Sequence, residues 1–189
     1  MMATRGVLIL ECLDGTDPGS EGLFLSHMFI LMKVDYQYVE VRTKAQFLAL
    51  LRTWPYELIH ITIHGSVGNA SGKFLGLWLR GDIVSVEDIQ GLKGKLRGRM
   101  VITTACLSGQ NRFAREFVTT AGCQCYVAPS GSPRFHNAIF FAHIFYHKYF
   151  ILKRSVAAIL TEYDQAHRNP HRFAAISFNQ YIKKNTIPK

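Results

Sequence analysis

Apolar residues fall along this chain in short unbroken blocks, divided by segments rich in Gly, Asp and Pro. Residues 6–12, GVLILEC, form the first block, the pattern of a strand buried on both faces. LDGTDPGSEG (13–22) is a loop by its turn-forming composition. LFLSHMFILMK (23–33) is long and apolar enough for a helix, and YQYVEV (36–41) alternates like a strand. Thr43 and Gln46 have capping-box spacing, which predicts a helix to about Arg52 that Trp54-Pro55 ends. LIHITIHG (58–65) is the next strand, followed by a loop over 68–72. Residues 74–89 predict a hairpin turning near Gly81-Asp82 and then a helical turn. MVITTAC (100–106) is a strand, RFAREFVTTAG (112–122) a helix, and CQCYVAPSG (123–131) a strand running into a turn. An aromatic helix over 135–152, a helix over 155–168 and a last strand over 173–178 complete the order.

Strands and helices therefore alternate along most of the chain. That order predicts one α/β domain over residues 1–189, with a mainly parallel sheet and helices on both faces. Functional groups in such sheets gather at the carboxyl ends of the strands. Four strand ends follow: 12–14, 64–66, 106–109 and 129–132.

Composition narrows the partners. The chain of 189 residues is 48% hydrophobic and carries a formal net charge of +9. The charge favours anionic partners such as nucleic acid, acidic protein surfaces or anionic membranes. The densest basic run, LKGKLRGR (92–99), holds no aromatic residue for base stacking, so it reads as a solvated loop, and no nucleic acid is expected. No G-x-G-x-x-G or P-loop spacing follows the first strand. The block 135–152 is interrupted by His136, Asn137, His143, His147 and Lys148, which predicts a buried helix rather than a membrane span. His143 and His147 share a helix face, but no third ligand accompanies them, and no metal or cofactor is expected. No secretion signal opens the sequence, so the four cysteines are expected to be free thiols in a reducing cytoplasm. Cys123 and Cys125 read as strand residues facing one side.

Two strand ends carry reactive groups. His64 closes one strand and Cys106, 42 residues on, closes another. If those strands are neighbours in a parallel sheet, both side chains emerge from one edge. An imidazole there would act on the thiol and later protonate a leaving amine. Gly65 allows close backbone approach, and the N–H groups of Gly65 and Cys106 are candidate oxyanion donors. Read singly, Cys106 is equally a buried thiol at a strand end.

HITIHGS followed by TTACLSG resembles the caspase-like cysteine peptidases, and most of all their CHAT branch, related to caspases and separase. FAREFVTTAGCQCYVAPSG and the aromatic helix extend the resemblance over most of residues 58–165. It implies a three-layer caspase–hemoglobinase fold and a His64/Cys106 dyad. It also implies limited proteolysis of a protein substrate, released by an activating partner, in bacterial stress or anti-phage defence, with a gasdermin-like pore former as one target class. Two departures stand out. Leu107-Ser108 separate Cys106 from Gly109 where the caspase motif has one residue, and Thr104 stands where an acidic residue or Gln precedes Ala-Cys. In this fold the end of the first strand lines the P1 pocket. Asp14 and Asp17 would there favour Arg or Lys, unless they are only turn formers. Ser130, at the last of the four strand ends, is a further candidate substrate contact. The alternative function is a catalytically silent module that binds a peptide or partner protein.

Overall fold

The computed structural model describes residues 4–68, 72–167 and 178–182. Its centre is a six-stranded sheet: β1 (Thr4–Cys12), β2 (Tyr36–Glu40), β3 (Tyr56–Ile63), β7 (Met100–Thr103), β8 (Cys125–Pro129) and β9 (Phe178–Ile182), in the order β2-β1-β3-β7-β8-β9. The first five strands of that order are parallel, and β9 runs antiparallel to β8. A smaller antiparallel sheet is formed by β4 (Gly65–Val67), β5 (Phe74–Leu79) and β6 (Asp82–Val84).

Alternate residues of the central strands enter two separate cores. Leu8 and Leu10 of β1 and Ile59 and Ile61 of β3 face α2 (Lys44–Thr53), α3 (Val86–Gln90) and α4 (Asn111–Thr119) through Phe47, Ile89 and Phe117. Val7, Ile9 and Leu58 face the other way, against Phe29 of α1 (Glu21–Met32), Phe145 of α5 (Phe135–Tyr146) and Ile159 of α6 (Val156–His167). The result is a three-layer α/β architecture. A strand with apolar side chains on both faces is stable only between two such layers, so the unbroken apolar blocks are the cause of the layering. Thr43 caps α2 by accepting from the Gln46 N–H at 3.2 Å, while the Gln46 side chain accepts from Arg42 rather than from Thr43.

Several expected boundaries shift. The aromatic helix ends at Tyr146 and continues as a π-helical turn over His147–Ile151. The strand expected over 58–65 divides at His64, whose carbonyl accepts from Trp78 N–H at 2.8 Å and so draws residues 65–67 into the small sheet. The strand expected over 100–106 ends at Thr103. Cys123 and Cys125 do not face one side. Cys123 N–H closes the end of α4 by donating to Phe117 O, and its thiol lies in the α2–α4 core, whereas Cys125 begins β8 and faces α5. The basic run 92–99 is a turn anchored by two fully buried leucines, Leu92 and Leu96. Residues 69–71 of the 68–72 loop, residues 173–177 of the expected last strand and Arg168 of the expected 155–168 helix fall outside the described residues. Among the described residues no helix is long and apolar enough to cross a membrane.

Two buried glutamates mark where α1 meets the sheet. Glu11 of β1 accepts from the Ser20 hydroxyl, from Gly22 N–H at 2.9 Å and from the Tyr38 hydroxyl at 2.8 Å. Burial, and next the hydrogen bond to Glu11, push the Tyr38 hydroxyl from its ordinary value of 10.0 up to about 12. Below pH 10 both folded and unfolded chains keep this proton. Between about pH 10 and about 12 only the unfolded chain releases it, so stability is lost as pH rises through that window. Burial shifts Tyr56, Tyr146, Tyr149 and Tyr163 the same way. Urea unfolding should therefore give a free energy that falls steeply above about pH 10, and Tyr38→Phe should make that fall shallower. An unchanged slope in the variant would show that Tyr38 carries none of it.

Candidate active site

The carboxyl ends of β1, β3, β7 and β8 lie side by side along one edge of the sheet. His64 leaves β3 and Cys106 lies in the turn that follows β7, the two strands being paired in parallel through Ile61 and Thr103. The two segments meet closely. A Cβ on Gly65 would stand 2.0 Å from the Cys106 carbonyl oxygen, so no residue but glycine fits there without moving the cysteine turn.

The Cys106 turn is held at every other residue. Thr104 N–H donates to Ile61 O at 3.1 Å, and Ala105 N–H to the Thr103 hydroxyl at 3.1 Å. The buried Ser108 hydroxyl donates back to Ala105 O at 2.7 Å, and Leu107 N–H donates to Gly131 O at 2.8 Å. Tyr126 donates its hydroxyl to Ser108 O at 3.1 Å. Leu107 takes φ 59°, a left-handed conformation that costs a branched residue energy and persists only where surrounding bonds impose it. Gly109 is fixed sterically, since a Cβ there would lie 2.7 Å from Pro129 O. The extra residue before Gly109 is thus absorbed as a tight, bonded turn.

His64 stands half-exposed beside the Trp78 ring, with Nε2 2.9 Å from Asp17 Oδ1. The other oxygen of Asp17 accepts from Asp14 N–H at 2.8 Å, which fixes the carboxylate at the loop's turn. Asp14 itself caps Thr16. The Thr16 hydroxyl, and next its N–H, hold the Asp14 carboxyl below the usual range. Cys106 is partly exposed, with Sγ 4.0 Å from Pro133 O. His64, Asp17 and Cys106 line one cleft of about 170 Å³, walled on the far side by Pro133, Phe135 and Ala138.

Neither candidate oxyanion donor is taken up by a neighbouring strand among the described residues. Gly65 pairs with Leu77 while Trp78 N–H bonds His64 O, which makes Gly65–Leu77 a non-hydrogen-bonded pair whose Gly65 N–H points away from β5. Among the described residues, Cys106 N–H has no hydrogen-bond acceptor.

Beneath the cleft lies a buried network that the sequence reading did not single out. Glu21 Oε1 meets His60 Nε2 at 2.9 Å, and Oε2 accepts from the hydroxyls of Thr62 and Thr104, each at 2.9 Å. His60 Nδ1 meets the Tyr146 hydroxyl of α5 at 2.9 Å. The signal was present in IHITIHG, where His60, Thr62 and His64 occupy every second position and so share one face. Of the other expected contacts, Asp14 does not line the cleft. Ser130 lines a separate, wider cavity of about 620 Å³ with Gly109, Arg112 and Phe113. Among the described residues no three His, Cys, Asp or Glu side chains converge as a metal-binding set, and His143 and His147 are exposed on α5 and the π turn.

No family model matches the chain, and no curated protein matches it.

Gly65→Ala should displace the Cys106 turn, lower stability by about 1–3 kcal/mol and change the alkylation rate of Cys106. Thermal unfolding and iodoacetamide labelling check this. Wild-type values in both would mean that the two segments do not touch.

Proposed function

We propose that this chain is a caspase-like cysteine endopeptidase. Cys106 is the nucleophile, His64 the acid and base, and Asp17 a positioning residue for His64. The observation that carries the proposal is the convergence of Asp17, His64 and Cys106 in one cleft at the carboxyl edge of a parallel sheet. In the reaction, His64 takes the Cys106 proton and the thiolate attacks the scissile carbonyl. The N–H groups of Gly65 and Cys106 receive the developing oxyanion. The imidazolium then protonates the leaving amine, which departs and leaves a thioester on Cys106. Water, deprotonated by His64, cleaves the thioester and returns the thiol.

The substrate on this reading is a protein cut at few places. Among the described residues the cleft is lined by the carboxyl groups of Asp17 and Glu21 and by no Lys or Arg. Both carboxyl groups are already hydrogen-bonded within the protein, so what supports a basic residue before the cleaved bond is the sign of the field they leave in the cleft rather than a free carboxylate. All four cysteines are free, which supports a reducing, cytoplasmic setting. An activating partner protein, and a role in bacterial stress or anti-phage defence that includes gasdermin-like targets, remain part of the proposal by resemblance alone.

Cys106→Ala and His64→Ala should each abolish cleavage of an identified substrate while thermal unfolding stays cooperative. Asp17→Asn should lower kcat by about 10²–10⁴-fold, because it leaves the thiol in place but frees the imidazole. It should also raise KM for peptides with Arg or Lys before the cleaved bond, because it removes a carboxylate from the cleft. Cleavage retained in the Cys106 variant rejects the mechanism. Thiol labelling by an electrophilic peptide probe without turnover would instead assign a silent peptide-binding module.

A panel of fluorogenic peptides varied at the residue before the cleaved bond tests the pocket. Arg and Lys should be preferred, and best cleavage after Asp or a small apolar residue would reject the acidic-pocket assignment.

A further inference from the structure

The most exposed large apolar residues do not lie near Cys106. Leu31 is 84% and Ile30 59% exposed at the end of α1, and Leu152 is 53% exposed just past the π turn. The two segments are joined underneath by the Phe29 and Phe150 rings, packed edge-on at 6.1 Å. Between them opens a cavity of about 340 Å³ lined by Arg5, Lys33 and Lys153, with apolar walls from Met32, Val34 and Phe150. Arg5 lies near the start of β1, so this cavity is at the opposite edge of the sheet from the cleft.

We propose that this face docks on an anionic phospholipid membrane, with lipid phosphates taken by Arg5, Lys33 and Lys153 and the surrounding aliphatic side chains entering the acyl boundary. The charge pattern argues for that occupant. None of the three cations has an ion-pair partner among the described residues. Among the described residues one acid, Asp35, lines the cavity against these three cations, which leaves the lining net basic. Residues 21–32 and 135–151 contain a single acidic residue, Glu21, and it is buried.

Lys33 and Lys153 both adopt left-handed backbone, φ 55° and 54°, at positions where a helix end ordinarily takes glycine. A cation at a helix carboxyl end is favourable, which accounts for each lysine singly. It does not account for Arg5 arriving from a strand, nor for the aliphatic collar. An aliphatic collar around cations is the arrangement of interfacial membrane anchors. Nucleic acid would call for stacking aromatics. A two-fold contact with a second copy would bring this basic face against itself.

Flotation of the full chain with vesicles tests the proposal independently of any activity of Cys106. Vesicles of phosphatidylcholine with roughly 30% phosphatidylserine should bind it, and phosphatidylcholine alone should bind weakly. The double variant Lys33→Gln/Lys153→Gln should lose about 25-fold in partitioning, at about fivefold per charge. Leu31→Asp, at an exposed site, should lose about tenfold or more and keep wild-type thermal unfolding. Failure to bind anionic vesicles, or equal binding by wild type and variants, would overturn it. So would full displacement by inorganic phosphate together with indifference to Leu31→Asp, which would mean a free-anion site. A lipid-free dimer that Leu31→Asp dissolves would assign the face to a second copy instead.

Discussion

Glu21 Oε2 accepts from Thr62 on β3 and from Thr104 after β7, while Oε1 meets His60 on β3, which in turn reaches Tyr146 on α5. One carboxyl group thus joins the start of α1, two neighbouring strands and the helix on the same layer. A buried carboxyl is costly unless its acceptor positions are filled. Here they are filled by residues from two separate segments, His60 and Thr62 of β3 and Thr104 after β7, and a third, α5, holds His60 through Tyr146. A consistent proton arrangement has Tyr146 donating to His60 Nδ1 and His60 donating from Nε2 to Glu21. That chain tolerates little displacement, since every member is buried and a lost partner strands a polar group. The loop before α1 inherits this rigidity. Its far end is held by Glu11 through Ser20 and Gly22, so Asp17, between the two anchors, is delivered to His64 by a short tether.

The same constraint explains why the cysteine turn can be strained. Thr104 is bonded both to Glu21 through its hydroxyl and to Ile61 through its N–H, which fixes the chain two residues before Cys106. On the other side Ser108, Gly109 and Tyr126 fix it two or three residues after. Leu107 is left to absorb the mismatch as a positive φ. The cost of that conformation, of order 1–3 kcal/mol, is offset by the bonds around it and holds Cys106 against Gly65.

The layering was legible because it depends on local pattern alone: the unbroken apolar run from Val7 to Leu10 predicts burial on both faces. That the strands leading to His64 and Cys106 are neighbours was legible from their order. The exact ends of β3 and β7 were not, because Trp78 and Glu21, distant in sequence, decide where each strand stops. Asp17 illustrates the limit well. Its residue type suited a turn, a pocket or a partner for imidazole equally, and only the fold of the loop between Glu11 and Glu21 selects among them. Ser130 lay one residue past a strand end that the edge rule selects. The bond from Gly109 N–H to Pro129 O carries it past the Cys106 turn into the neighbouring cavity.

The two ends of the sheet are chemically opposed. At the carboxyl edge, carboxylates line a narrow cleft beside a thiol. At the other edge, cations and bare aliphatic side chains surround an open cavity. A parallel sheet enforces this separation, since every strand enters at one edge and leaves at the other, and α1 runs back from the cleft to the basic face. The three cations of the cavity draw an anionic surface to the basic edge. Binding at the basic edge therefore leaves the cleft turned outward, toward whatever stands above that surface. Because β1, β3, β7 and β8 belong to one continuous sheet, that orientation is a property of the fold, and no hinge is needed to set it.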